Sequence, residues 1–307
     1  AAAADASTGD LLAFLDHEDT LAPFSAFELA KAANENESAD FFYSDEDKVD
    51  SLGRFDPHFK PEWSPDTLRS YNYITHIMAM TRQLYDLCGG MRPGFDGSQD
   101  HDLALRATEY ASGIVHIPKV LYHWRAHKGS VAGNGAAKAY ASDAGQKAVE
   151  QAAKRENEAA FAEPGMFKNS YRARYPVASN LISVIIPNKD KLDMLSSCVR
   201  TVSATKEGFE LEFVIVENGS VLPSTFEYYD KLEESGYGRI ARLDGDFNYS
   251  AANNLGAKRA KGNLLLFLNN DILAEEPGWL TALAEHAQRP SVGAVGAKLL
   301  FRDGSIQ

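Results

Sequence analysis

Cysteine is nearly missing from this 307-residue chain, which has only Cys88 and Cys198. Two thiols without metal-ligand spacing exclude a disulfide framework and a cysteine-held metal, and they favour a reducing, cytoplasmic location. Long apolar runs are missing as well. The longest stretches, such as LLLFL, SVIIP and FVIV, fall far short of the roughly 20 residues that cross a bilayer. Positive charge is scarce, with 31 Lys and Arg against 43 Asp and Glu and a formal charge of −12. Binding along a phosphate backbone needs clustered Lys and Arg, so nucleic acid is excluded as a partner. There is also no initiating Met and no basic-then-apolar leader before AAAADASTG, and the sequence stops at FRDGSIQ. A piece of a longer protein is expected.

What the chain does have is 44% hydrophobic residues, enough at this length to bury a sizeable core in a soluble globular body. It also has an internal duplication. GDLLAFLDHE at 9–18 and GNLLLFLNND at 262–271 share five of ten positions, and three more are Asp/Asn or Glu/Asp exchanges. A spacing of 253 residues is too long for a solenoid repeat, whose periods run to roughly 50, and it suits one α/β domain.

Short β-type runs alternate with helical patterns, as in a parallel or mostly parallel α/β sheet. LISVIIPNKD (181–190), ELEFVIVENGS (210–220), RIARLDGDFNYS (239–250) and NLLLFLNND (263–271) read as strands, with helices at 193–205 and 250–262. Ligands in such sheets lie beyond the carboxyl ends of the strands, which places Asn269, Asn270 and Asp271 at a site. Residues 136–180 differ in composition, first rich in Ala, Lys and Glu and then a turn with a short strand. They are expected to link a first domain at 1–135 to a second at 181–307.

The ordered motifs YSDEDKVD, FKPEWSPD, SQDHDLALR, YHWRAHKGS, SVIIPNKD, VIVENGS, FNYSAANN, FLNND and GAVGAKLLFRDGSIQ resemble family-two glycosyltransferases of the GT-A fold, especially the tandem bacterial enzymes that build surface polysaccharides such as O-antigen and rhamnan. The resemblance covers nearly the whole chain. It implies a Rossmann-like, mostly parallel mixed sheet flanked by helices, in two partial copies. Residues 1–135 would be the acceptor-side part of one domain and 181–307 the nucleotide-side part of the next. It further implies a nucleotide-diphosphate sugar donor and a saccharide or lipid-linked saccharide acceptor; peripheral association with the inner face of a membrane stays open.

The chemistry can be assigned residue by residue. A diphosphate leaving group needs a hard cation, Mg²⁺ or Mn²⁺, held by carboxylates. Asp16 and Glu18 in the first copy and Asp271 in the second are the candidates, since Asn269 departs from the acidic pattern. Asp100, next to Gln99 at a helix start, matches the family's base, whereas Asp102 can equally be a capping residue. Asp45 and Asp47, in what reads as a tight acidic turn, either are solvated or line the donor or acceptor pocket. His127 matches a metal-binding His in the family's last motif. Arg125 and Lys128 suit a diphosphate, and Trp124 either packs or stacks on a sugar. Pro187, Asn188, Glu217, Asn218, Asn248, Asn253, Asn254, Asn269 and Asn270 fall at nucleotide-side positions, with Glu217 where the family usually has Asp. Turn and capping chemistry accounts for Asn218 as well. A non-catalytic tandem module binding polysaccharide or an assembly partner is the alternative.

Overall fold

The computed structural model describes residues 2–126, 139–301 and 303–307. The chain divides into two compact units, Ala1–Tyr175 and Pro176–Gln307.

The first unit contains, in chain order, α1 (Ala2–Ala6), β1 (Leu11–Ala13), β2 (Thr20–Leu21), α2 (Ser25–Glu35), β3 (Phe41–Asp50), β4 (Gly53–His58), α3 (Pro65–Ser70), β5 (Met78–Thr81), α4 (Arg82–Leu87), α5 (Gln99–Tyr110), β6 (Ile114–Arg125), α6 (Ala139–Glu156), β7 (Phe161–Pro164) and β8 (Tyr171–Arg174). Its main sheet runs β1-β5-β3-β6-β2, with β4 also on β3. Only the β3–β6 pair is parallel in this mixed sheet. Both faces of β3 are buried, Phe41 and Tyr43 in one core cluster and Phe42 in another.

The tight acidic turn expected at Asp45–Asp47 is corrected to strand, since β3 runs through to Asp50. The twelve-residue β6 continues the ladder beside it, pairing Asp45 with Val120 and Asp47 with His123. Local turn propensity yields to that tertiary pairing. The 136–180 segment holds α6 and the β7–β8 hairpin, and Ala148, Val149, Ala152, Ala153 and Tyr171 belong to the first unit's core. Gly145 allows the close approach of α6 and β8, because a Cβ there would meet the Tyr171 hydroxyl at 2.0 Å.

The second unit contains β9 (Leu181–Asn188), α7 (Leu192–Ala204), β10 (Glu210–Glu217), α8 (Pro223–Glu234), β11 (Gly238–Arg242), α9 (Tyr249–Arg259), β12 (Leu264–Phe267) and α10 (Trp279–Ala287). The sheet runs β11-β10-β9-β12 and is wholly parallel. Val184, Ile185, Ile186, Val214 and Ile215 are fully buried, as expected for strands covered on both faces. A Cβ on Gly256 would meet Ile185 at 2.4 Å, so this glycine lets α9 lie flat on the sheet. The third strand ends at Arg242, short of the expected Ser250, because the Asn218 amide draws in the Leu243 and Gly245 carbonyls to form a loop. Helices α8 and α10 were not anticipated from the sequence. The duplicated segment is a strand in both units, β1 and β12, and each lies at the edge of its sheet. Among the described residues no helix is long and apolar enough to cross a membrane.

Candidate active site

Two connecting segments of the first unit, the β1–β2 connection and the stretch before β5, meet at one point. Asp16 follows β1, Asp19 precedes β2, and His76 lies just before β5. One ligand atom from each falls within 4.8 Å of the others. His76 Nε2 is 4.0 Å from Asp16 Oδ2. Asp16 is exposed, whereas Asp19 and His76 are buried. Asp19 is fixed through both oxygens, accepting from the Tyr122 hydroxyl and, at 2.8 Å, from the Arg125 amide. The His76 ring stacks on Tyr122, with centroids 4.6 Å apart, and meets the half-buried Trp124 edge-on at 5.7 Å. Two carboxylates and an imidazole form a donor set for a divalent cation of the Mn²⁺ type. The partners that orient Asp19 from behind are what such a site needs.

Of the sequence candidates, Asp16 is in this cluster. Glu18 is outside it, and its carbonyl accepts from the Arg125 guanidinium at 2.7 Å. Asp19, the last residue of the acidic stretch Asp16–Asp19, joins the cluster where Glu18 was expected. His76 was missed, and nothing in THIMAM marks it as a ligand. His127 and Lys128 lie outside the described residues.

Asp100 is in the first turn of α5. Burial raises its carboxyl above the ordinary range and the Asp16 charge adds to that, while His76 pulls the other way. Asp16 and His76 are thus the two cluster residues whose charges act on Asp100. Gln99 accepts from the Gly97 amide at 2.8 Å, inside its own turn. Asp102 is buried and gives both oxygens to Arg92 and Arg106. Burial pushes its carboxyl up, but the two guanidinium groups outweigh that and hold it below the usual range. Its partners make it a brace for α5.

Between them, His101 donates its Nε2–H to the Leu68 carbonyl at 2.7 Å. Burial lowers its pKa to about 4 from 6.5. The native state therefore binds this proton less readily than the unfolded chain. Its contribution to stability is intact above pH 6.5 and is lost as pH falls towards 4, at up to about 1.4 kcal/mol per pH unit. Urea midpoints measured between pH 7 and 4 are expected to show this slope, and His101→Gln is expected to flatten it.

The three acids of β3 are buried and paired. Asp45 accepts from the Lys60 amide at 2.9 Å and contacts His116 Nε2 at 2.8 Å. Asp47 holds His123 Nδ1 and Arg54 Nε, each at 2.6 Å. Glu46, the middle acid of the expected turn, points to Lys60, Thr75 and His76. Burial raises its carboxyl, yet Lys60, His58 and Thr75 bring it down to about 2.

In the second unit the called residues gather at the carboxyl ends of the strands. Asn188 donates to the Tyr229 hydroxyl at 2.7 Å and accepts from the Asn270 amide at 2.7 Å. Pro187 is half-buried beside it. Glu217 is buried, taken up by the Tyr229 hydroxyl at 2.7 Å and by the Ser220 amide and hydroxyl. Asn248 caps α9 by accepting from the Ala251 amide at 2.9 Å. Asn253 is buried, with no hydrogen-bond partner for its Oδ1 among the described residues. Asn254, Asn269 and Asp271 are exposed, and Asn269 meets the Tyr249 hydroxyl at 3.5 Å.

Known proteins resemble the chain along nearly its whole length. Over 307 residues the chain is 43% identical to the O-antigen biosynthesis protein RfbC of Myxococcus xanthus, covering 98% of this chain and 24% of that protein. It is 38% identical over 311 residues to the uncharacterized protein y4gI of Sinorhizobium fredii (strain NBRC 101917 / NGR234), covering 99% and 34% respectively. The chain thus spans about a quarter to a third of the length of these curated relatives. The crystal structure of S. aureus TarS 1-349 in complex with UDP-GlcNAc aligns with a TM-score of 0.40 and 14% identity, over 50% of this chain and 45% of that one. Residues 183–306, nearly all of the second unit, match the model for Glycosyl transferase family 2.

Proposed function

We propose that the chain is part of an inverting, metal-dependent glycosyltransferase that transfers a sugar from a nucleotide-diphosphate donor to a growing bacterial polysaccharide or glycolipid. The observation that carries this reading is the donor cluster of Asp16, Asp19 and His76, two of whose members, Asp16 and His76, act by their charge on the buried Asp100. A module that only binds polysaccharide has no need of a base next to a cation site. The polysaccharide assignment is supported by 43% identity to a protein named for O-antigen biosynthesis.

Asp16, Asp19 and His76 would hold Mg²⁺ or Mn²⁺, which neutralises the diphosphate leaving group when bound. Asp100 takes the proton of the acceptor hydroxyl as its oxygen attacks the anomeric carbon. The bond from that carbon to the diphosphate breaks on the opposite face, so configuration inverts. A carboxyl whose pKa is raised by burial is a stronger base than an ordinary one. Trp124, edge-on to His76, would bound the sugar on one side. In the second unit Asn188, Asn270, Asn248 and Asn254 supply amides and a helix start for a nucleotide diphosphate. Glu217, already bonded to Tyr229 and Ser220, shapes that end of the sheet.

The test is thermal unfolding of the whole chain with UDP or GDP and Mn²⁺. Ligand at a hundredfold its Kd stabilises by about 2.7 kcal/mol, which a melting curve resolves. No shift with any nucleoside diphosphate and either cation would reject the enzyme reading in favour of a binding module.

A further inference from the structure

The FKPEWSPD motif has no part in the assignment above, yet it places the most deeply buried cation on a named partner in the first unit. The Lys60 side chain is 0% exposed. Burial lowers its pKa to about 8, against the pull of Glu46. Its ammonium donates to the carbonyls of Ile74 and His76 and lies 3.3 Å from Glu46 Oε2. Glu46 in turn accepts from the Thr75 hydroxyl at 2.8 Å and from the His76 amide at 3.0 Å. Three consecutive residues, Ile74 to His76, are thus held by one ion pair. Those residues belong to no helix or strand, so no ladder satisfies their polar groups. The loop carrying Lys60 is itself tied to β3, since the Lys60 amide donates to Asp45 at 2.9 Å and the Tyr43 hydroxyl donates to the Pro61 carbonyl at 2.7 Å.

A buried ion pair often adds little net stability compared with an apolar pair, and its best-attested benefit is fixing one arrangement. Here the arrangement it fixes is the backbone of His76. We propose that Glu46 and Lys60 are positioning residues, which clamp Ile74–His76 so that the His76 imidazole is held against Asp16. The idea rests on the donor-site reading above for its consequence, and on the geometry of the clamp for its existence. Stacking on Tyr122 orients the plane of the ring, whereas the clamp sets where the ring starts from.

Lys60→Met alone leaves Glu46 buried without its cation and can unfold the chain, so the informative variant is Glu46→Gln/Lys60→Met, which removes both charges. Two readouts are taken on the full chain. Amide hydrogen exchange over 74–78 is expected to rise at least about tenfold in the double variant, with α5 unchanged. Mn²⁺ affinity, measured by calorimetry, is expected to fall by about tenfold or more, the range seen when groups that orient metal ligands are lost. Unchanged exchange over 74–78 would overturn the clamp. Raised exchange with unchanged Mn²⁺ affinity would overturn its positioning role. Failure of the donor-site reading looks different, because the wild-type chain itself would then take up no Mn²⁺ while exchange over 74–78 still rose in the double variant, upholding the clamp.

Discussion

Asp100→Asn is expected to lower sugar transfer by a factor on the order of 10² or more while donor and Mn²⁺ binding stay nearly unchanged. The substitution keeps size and shape in the first turn of α5 and removes only the ability to accept a proton. The loss therefore falls on the transition state and leaves kcat reduced at an unaltered donor KM. The wild-type pH profile carries a second mark of the same group. Activity is lost as pH falls through the Asp100 pKa, and because burial raises that value, the acid limb should lie above that of an ordinary carboxylate. Full activity of Asp100→Asn, or an acid limb that survives it unshifted, would remove Asp100 from the role.

The second large effect is on metal uptake. Asp16→Asn and Asp19→Asn are each expected to weaken Mn²⁺ binding at the first unit's cluster by roughly ten- to a hundredfold or more, since loss even of outer partners reaches that range. Asp19 should be the more sensitive, because its two oxygens are also the acceptors for Tyr122 and the Arg125 amide, and weakening them loosens the end of β6. Glu18→Gln is expected to change Mn²⁺ affinity far less, as its side chain is outside the cluster. Calorimetric titration of the three variants orders them. An order with Glu18→Gln most damaging would point to a different ligand set.

Much of the fold could be read from local pattern. The parallel strands of the second unit announce themselves as apolar runs ended by turn residues, and β9, α7 and β10 fall where LISVIIPN, the helical spacing after it and ELEFVIVE placed them. Local pattern failed where a distant partner decided the outcome. SDED reads as a turn until β6 is laid beside it with His116 and His123 to meet the acids. Residues 136–180 read as a linker because the Ala faces of α6 become core only against α5 and the hairpin. The site divides in the same way. Asp16 and Asp100 are marked by motifs that a sequence shows directly. His76, sixty residues from Asp16, enters only through the packing that stacks it on Tyr122 and the ion pair that holds its backbone. Asp102 carries the same motif mark as Asp100, and only the placing of Arg92 and Arg106 marks it as a brace.

The most direct measurement is Mn²⁺ titration of the intact chain, followed by NMR through the paramagnetic broadening of histidine ring signals. With a cation held by Asp16, Asp19 and His76, the His76 ring is expected to be broadened beyond detection at stoichiometric Mn²⁺, with His101 and His116 broadened less and Asp19→Asn abolishing the effect on His76. A His76 signal that stays sharp while Mn²⁺ binds elsewhere would contradict the cluster as the donor-site cation centre.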